Sequence, residues 1–207
     1  MRRIAWLLLA VLVAGCTETT AVNQDTMDKD IQSAVEVVDD FWRQTFPEAF
    51  GEPYESPRVA GGYTGVDGPQ CAGERSVPFN AYYCPTGDYI AWDEDLMAAG
   101  YSQIGDAWVY LIIAHEWAHA IQARLDTDQV SVAAELQADC LAGASLQGAA
   151  ETGRIAIEPG DAQELAQTLA AVADEYPWTR VSDHGNIQER TSAFSLGVNR
   201  GVEACIS

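Results

Sequence analysis

Apolar residues recur along this chain with two different periods. Ile31, Val35, Val38, Phe41 and Trp42 fall three or four apart, the spacing that lays one apolar stripe along a helix, and Pro47 and Gly51 are placed to end it. From Pro53 to Gly73 the pattern dissolves among glycines and prolines, with "RVAGGYT" a candidate short strand. "NAYYCPTGDYIAWD" reads as a hairpin, two aromatic, β-favouring runs around Pro85, Thr86, Gly87 and Asp88. After Asp95 helical patterning takes over, in stretches at about 103–125, 130–150, 160–175 and 187–204. Gly148, Gly153 and the "EPGD" around Pro159 and Asp161 punctuate them. No internal repeat or second domain boundary is visible. The expected fold class is α+β: one mainly helical domain over residues 31–207, with a small antiparallel sheet packed beside the main helix.

The first residues follow a different logic. In "MRRIAWLLLAVLVAGC" two arginines precede an apolar run from Ile4 to Val13, and the small residues Ala14 and Gly15 precede Cys16. The run is too short to span a bilayer and suits a secretory signal over residues 1–15. "VAGC" resembles the lipobox of bacterial lipoproteins, in which the cysteine is lipidated and becomes the first mature residue. Residues 16–30 then form the lipidated Cys16 and a polar, flexible tether, "TETTAVNQDTMDKD". The expected location is outside the cytoplasm, anchored to the cell membrane or the outer membrane. Thr17 carries no aspartate-type retention signal.

Charge and cysteine content sharpen this picture. A net charge of −20 repels nucleic acid and anionic headgroups, so nucleic acid is excluded as a partner, and the only expected membrane contact is through the lipid. Removing a lipidated Cys16 from five cysteines leaves Cys71, Cys84, Cys140 and Cys205. An even set in an exported protein reads as two disulfides with three possible connectivities. Cys71 and Cys84 bracket a short loop and are the natural local pair; Cys140–Cys205 follows by elimination. No C-x-x-C spacing occurs, which disfavours thiol redox chemistry.

The candidate chemistry lies in "WVYLIIAHEWAHAIQARL". His115 and His119, two of only three histidines, are four residues apart and share one helix face. Two imidazoles so spaced reach one Zn²⁺, and Glu116 projects beside them, able to act on a metal-bound water. This is the H-E-x-x-H pattern of zinc metalloproteases, where the glutamate is the general base. A catalytic zinc needs a third protein ligand and an open fourth position. In "SVAAELQADCLAGA", Glu135 and Asp139 again share a helix face. Glu135 is expected to complete a His₂Glu site from an antiparallel helix, one zinc per chain. Asp139 is expected to accept the second ring N–H of His115 and so fix its tautomer. His184, in "SDHGNIQER", stabilises an oxyanion, fills a fourth zinc position, or caps the last helix; the residues alone leave all three open. Arg190 is a surface cation by default, and otherwise a partner for a carboxylate near the site.

These motifs in their order, "FWRQTF", "YYCP" with "YIAWD", "AHEWAHAIQ", "ELQADCLAG" and "DHGNIQER" with a late Cys205, resemble the bacterial neutral zinc metallopeptidases. The resemblance covers most of residues 31–207. It implies a zincin-like fold, zinc held by His115, His119 and Glu135, and Glu116 as catalytic base. The family tends to carry glycine and histidine where this chain has Ala118 and Ala120. The expected function is a zinc-dependent endopeptidase of the cell envelope acting on peptide or protein substrates. The rival is a lipid-anchored, zinc-containing binding or assembly protein without proteolytic activity. By analogy with other zincins, the strand near "YIAWD" is expected to offer a sheet edge to an extended peptide.

Overall fold

The computed structural model describes residues 24–125, 131–174 and 184–206. Six helices and one three-stranded sheet follow in the order α1 (Gln24–Phe50), β1 (Arg58–Tyr63), β2 (Ala81–Cys84), β3 (Tyr89–Asp93), α2 (Glu94–Gln103), α3 (Ala107–Arg124), α4 (Val132–Glu151), α5 (Asp161–Ala171) and α6 (Ile187–Arg200). A short 3-10 helix, Val202–Cys205, ends them. The fold class is α+β and mainly helical.

The centre of the molecule is α3. Fourteen of its eighteen residues are buried, so it is apolar nearly all round and has no single solvent face. Around it stand α1, α2, α4, α5 and the sheet. From α1 come Met27, Ile31, Ala34, Val38, Phe41, Trp42 and Phe46, one stripe at helical spacing that fills the core against α3. Trp117 donates its indole N–H to the Tyr54 hydroxyl (2.7 Å), which in turn donates to Asp39 (3.1 Å), tying α3 to α1 through a polar bridge.

Three expectations change. Residues 24–30 belong to α1 and not to a tether: Met27 is in the core and the Tyr101 hydroxyl donates to Asp30. Their polar composition hid one buried methionine at the right spacing. The signal segment, Cys16 and the rest of the tether lie outside the described residues. Pro47 does not end α1, which runs another turn to Gly51 at φ +72°, where a glycine suits the left-handed stop. Finally, the sheet is mixed and not antiparallel. β2 and β3 form the antiparallel hairpin, while β1 lies parallel to β3 on its other side, giving the order β1-β3-β2. Strand β3 is therefore central and fully buried, and it offers no free edge to a peptide; the edges are β1 and β2.

Helix α2 went unread because it buries only Met97 and Gly100 and has little periodicity. Its start is set by Asp93, whose carboxylate accepts the backbone N–H groups of Asp95 and Leu96. Both disulfides, Cys71–Cys84 and Cys140–Cys205, are formed. The first staples the excursion between β1 and β2; the second fastens the 3-10 helix to α4.

Candidate metal centre

Helices α3 and α4 run antiparallel: Gln122 meets Ala134, while His115, earlier in α3, meets Asp139, later in α4. This brings His115, His119 and Glu135 to one point. The Nε2 atoms of the two histidines are 3.2 Å apart, and Glu135 Oε2 lies 3.2 Å from Nε2 of His115. Glu135 Oε1 lies 3.6 Å from Nε2 of His119.

The opposite nitrogens explain why the first three atoms face each other. His115 Nδ1 is 3.0 Å from Asp139 Oδ1, and a carboxylate only accepts, so Nδ1 carries the proton. His119 Nδ1 is 2.8 Å from Gln122 Oε1, again an acceptor. Each imidazole, once its Nε2 gives up a proton in exchange for a metal ion, therefore presents that lone pair to the common point, and Glu135 adds an anionic oxygen. Three acceptor atoms converge, an arrangement that repels unless a cation, a proton or a metal ion, sits between them. Their separations approach the roughly 3.3 Å edge of a tetrahedron with bonds of about 2.0–2.1 Å. Two imidazoles and one carboxylate are a donor set that suits catalytic zinc.

The electrostatics make the same demand. Burial works against a charged His115, yet hydrogen bonds to Asp139 and Glu135 outweigh it and raise its imidazolium to about 10. Burial pushes Glu135 up, but the His115 hydrogen bond, with the charges of His115, His119 and His184, brings it down to about 2. Asp139 is likewise opposed by burial and held below the usual carboxylate range by Arg190 and His115.

Arg190 is no surface cation. It is buried, donates Nε to Asp139 Oδ2 and Nη2 to Asp139 Oδ1 at 2.8 Å each, and donates Nη1 to the Val172 carbonyl. Asp139 thus receives both oxygens' worth of guanidinium while holding His115. Such a bidentate pair fixes the carboxylate plane, and with it the imidazole ring.

Glu116 is 8 % exposed and makes no hydrogen bond or ion pair among the described residues. Tyr63, at the end of β1, is close enough for its phenol, raised chiefly by burial, to be raised further by the Glu116 charge. His184 stands apart from the three converging donors. Its side chain is 56 % exposed, its Nδ1 is 3.7 Å from Asp174, and its charge is felt by Glu135. Nor does it cap α6, since Asn186 accepts the N–H groups of Gln188 and Glu189 while Glu189 accepts from Asn186. Asp106, Asp161 and Glu164 form a second acidic group near the start of α3; there Glu164 accepts the Ala107 N–H.

Gln122 and Gln137 escaped the reading of the sequence. Gln122 sits three residues after His119, on the same face, which was the available signal.

The model of the family described as "Putative neutral zinc metallopeptidase" matches residues 13–206. The chain belongs to this family. Among curated proteins it is similar to the uncharacterized protein YpfJ of Escherichia coli strain K12, at 27% identity over 96% of this chain and 83% of that protein. The corresponding protein of Escherichia coli O6:H1 strain CFT073 matches with the same figures. No solved structure matches the chain. The family's description implies zinc and a peptide hydrolase, and the donor set described above fits that metal.

Proposed function

We propose that this chain is a zinc-dependent endopeptidase of the cell envelope. The observation that carries this reading is the meeting of both Nε2 atoms and the Glu135 carboxylate at one point, beside a buried Glu116 that has no hydrogen-bond partner among the described residues.

His115, His119 and Glu135 would hold the zinc. When bound, zinc supplies Lewis acidity, bringing a coordinated water toward a pKa of about 7 and polarising the scissile carbonyl. Glu116 accepts the water proton at a carboxylate oxygen and delivers it to the departing amine nitrogen. Its lack of a hydrogen-bond partner leaves both oxygens available for that transfer. Asp139 and Arg190 hold the His115 ring in place throughout. His184, exposed near Glu135, is the donor we assign to the developing oxyanion.

The envelope setting rests on the leader and Cys16, read as a lipoprotein signal, and is supported by two disulfides in so short a chain. Labelling with a radioactive fatty acid, lost on Cys16→Ser, tests the anchor.

The deciding experiment combines zinc quantification with digestion of a peptide library. One zinc per chain and cleavage are expected of the wild type. Glu116→Gln should keep its zinc and lose at least about a hundredfold in turnover; wild-type turnover would remove Glu116 as base. His184→Ala should lower kcat about a hundredfold at unchanged zinc affinity. A fall in affinity instead would make it a ligand. Zinc without cleavage of any peptide would favour the binding or assembly protein.

A further inference from the structure

The Nδ1 of His115 is oriented by a carboxylate, but among the described residues no charged group meets the Nδ1 of His119. Its Nδ1 faces the side-chain amide of Gln122, a group whose two ends differ only in where the hydrogens sit. If that amide were turned over, its NH₂ would face Nδ1. The imidazole would then carry its proton on Nε2, pointing into the space where a metal must bind. Something has to decide which way Gln122 faces.

We propose that a relay of two amides, braced by the backbone carbonyl of Ala134 and ending on that of Cys205, sets the tautomer and orientation of His119. A backbone carbonyl only accepts. The Gln137 Nε2 donates to the Cys205 carbonyl at 3.0 Å, so Gln137 turns its Oε1 toward Gln122. Gln122 answers with its Nε2, which donates to Gln137 Oε1 at 3.0 Å and to the Ala134 carbonyl at 2.7 Å. Two acceptors on that side leave Gln122 Oε1 facing His119 Nδ1 at 2.8 Å. The ring must then donate from Nδ1 and keep its Nε2 lone pair free. Gln122 is fully buried, so no water competes for its amide.

The relay has a covalent anchor. Cys205 is bonded to Cys140, the neighbour of Asp139 on α4. Both imidazoles are thus steadied from the same stretch of α4, His115 through Asp139 and His119 through the chain of amides that ends where the disulfide fastens the 3-10 helix. Gln122 and Gln137 are positioning residues; neither touches the reacting atoms.

This inference rests on the zinc reading and is tested by metal binding, with turnover not required. Zinc affinity is measured by chelator competition on the full chain, alongside the visible spectrum of the cobalt(II) form and the melting temperature of the metal-free protein. Gln122→Met removes both ends of the amide and should cost about ten- to a hundredfold in zinc affinity, with shifted cobalt bands. Gln122→Glu keeps the acceptor toward His119 and loses the donor. It should melt lower yet bind zinc within about threefold of wild type, since ligand orientation is what second-shell contacts protect. Should Gln122→Met fail to fold, Gln137→Leu carries the test with a smaller loss in the same direction, because Ala134 still holds the Gln122 amide. Wild-type affinity in Gln122→Met, or in Gln137→Leu where the former does not fold, overturns the relay. So does a loss in Gln122→Glu equal to that in Gln122→Met. A wild type that takes up no zinc instead removes the metallopeptidase reading itself.

Discussion

Arg190 and Asp139 carry opposite charges where neither reaches water, Asp139 being fully buried. Alone, either would be costly; paired at 2.8 Å and joined to His115, they become a rigid seat for a ligand. The same residues govern how the metal-free protein responds to pH. Glu135 is lowered from 4.5 to about 2, so its contribution is present above about pH 4.5 and lost as pH falls through 2. His115 is raised from 6.5 to about 10, so its contribution is complete below 6.5 and lost as pH rises through 10. The metal-free protein should therefore melt highest between about pH 4.5 and 6.5 and decline on the alkaline side. Zinc replaces the proton between these groups and should remove most of that alkaline decline. Melting curves from pH 5 to 9, with and without zinc, check this; a metal-free melting temperature that stays level over that range would contradict it.

Among the elements, α4 and α6 show how closely the seat must be built. A Cβ at Gly197 of α6 would collide with the Cys140 carbonyl, and one at Gly143 of α4 would collide with the Phe194 carbonyl. Glycine faces backbone on both sides of the crossing, and that approach lets Arg190 reach Asp139 from the first turns of α6. Gly197→Ala favours an isolated helix yet must push the two apart. The net effect should be a loss of about 2 kcal/mol or more in denaturant unfolding. Zinc affinity should weaken with it as the Arg190–Asp139 pair is strained. An unchanged unfolding midpoint would mean that the crossing has slack.

For the whole molecule, the second disulfide is the long-range constraint. It joins residues 65 apart, against 13 for Cys71–Cys84. In the chain-entropy model such loops contribute about 4 and about 3 kcal/mol respectively. Replacing Cys140 and Cys205 by serine should lower stability more than replacing Cys71 and Cys84, with chemical denaturation as the measure. The first pair should also weaken zinc binding through the 3-10 helix, and the second should leave it alone. Equal zinc affinity in both would separate the disulfide from the metal centre.

Much of this was legible in one dimension because it is local. Helical spacing alone put His115, Glu116 and His119 on one turn, a turn signal joined β2 to β3, and cysteine parity left few pairings. Other features depend on partners distant in the chain. The direction of β1 is set by the excursion between it and β2, and a mixed sheet leaves no mark in the alternation of any strand. Arg190 has the composition of a surface residue; only the close crossing of α4 and α6 buries it against Asp139. The Gln122 amide donates to the carbonyl at position 134 and, through Gln137, is linked to the one at position 205, both far from it in the chain. Periodicity determines which residues share a face, whereas folding determines which faces meet, because burial and amide direction are properties of the pair.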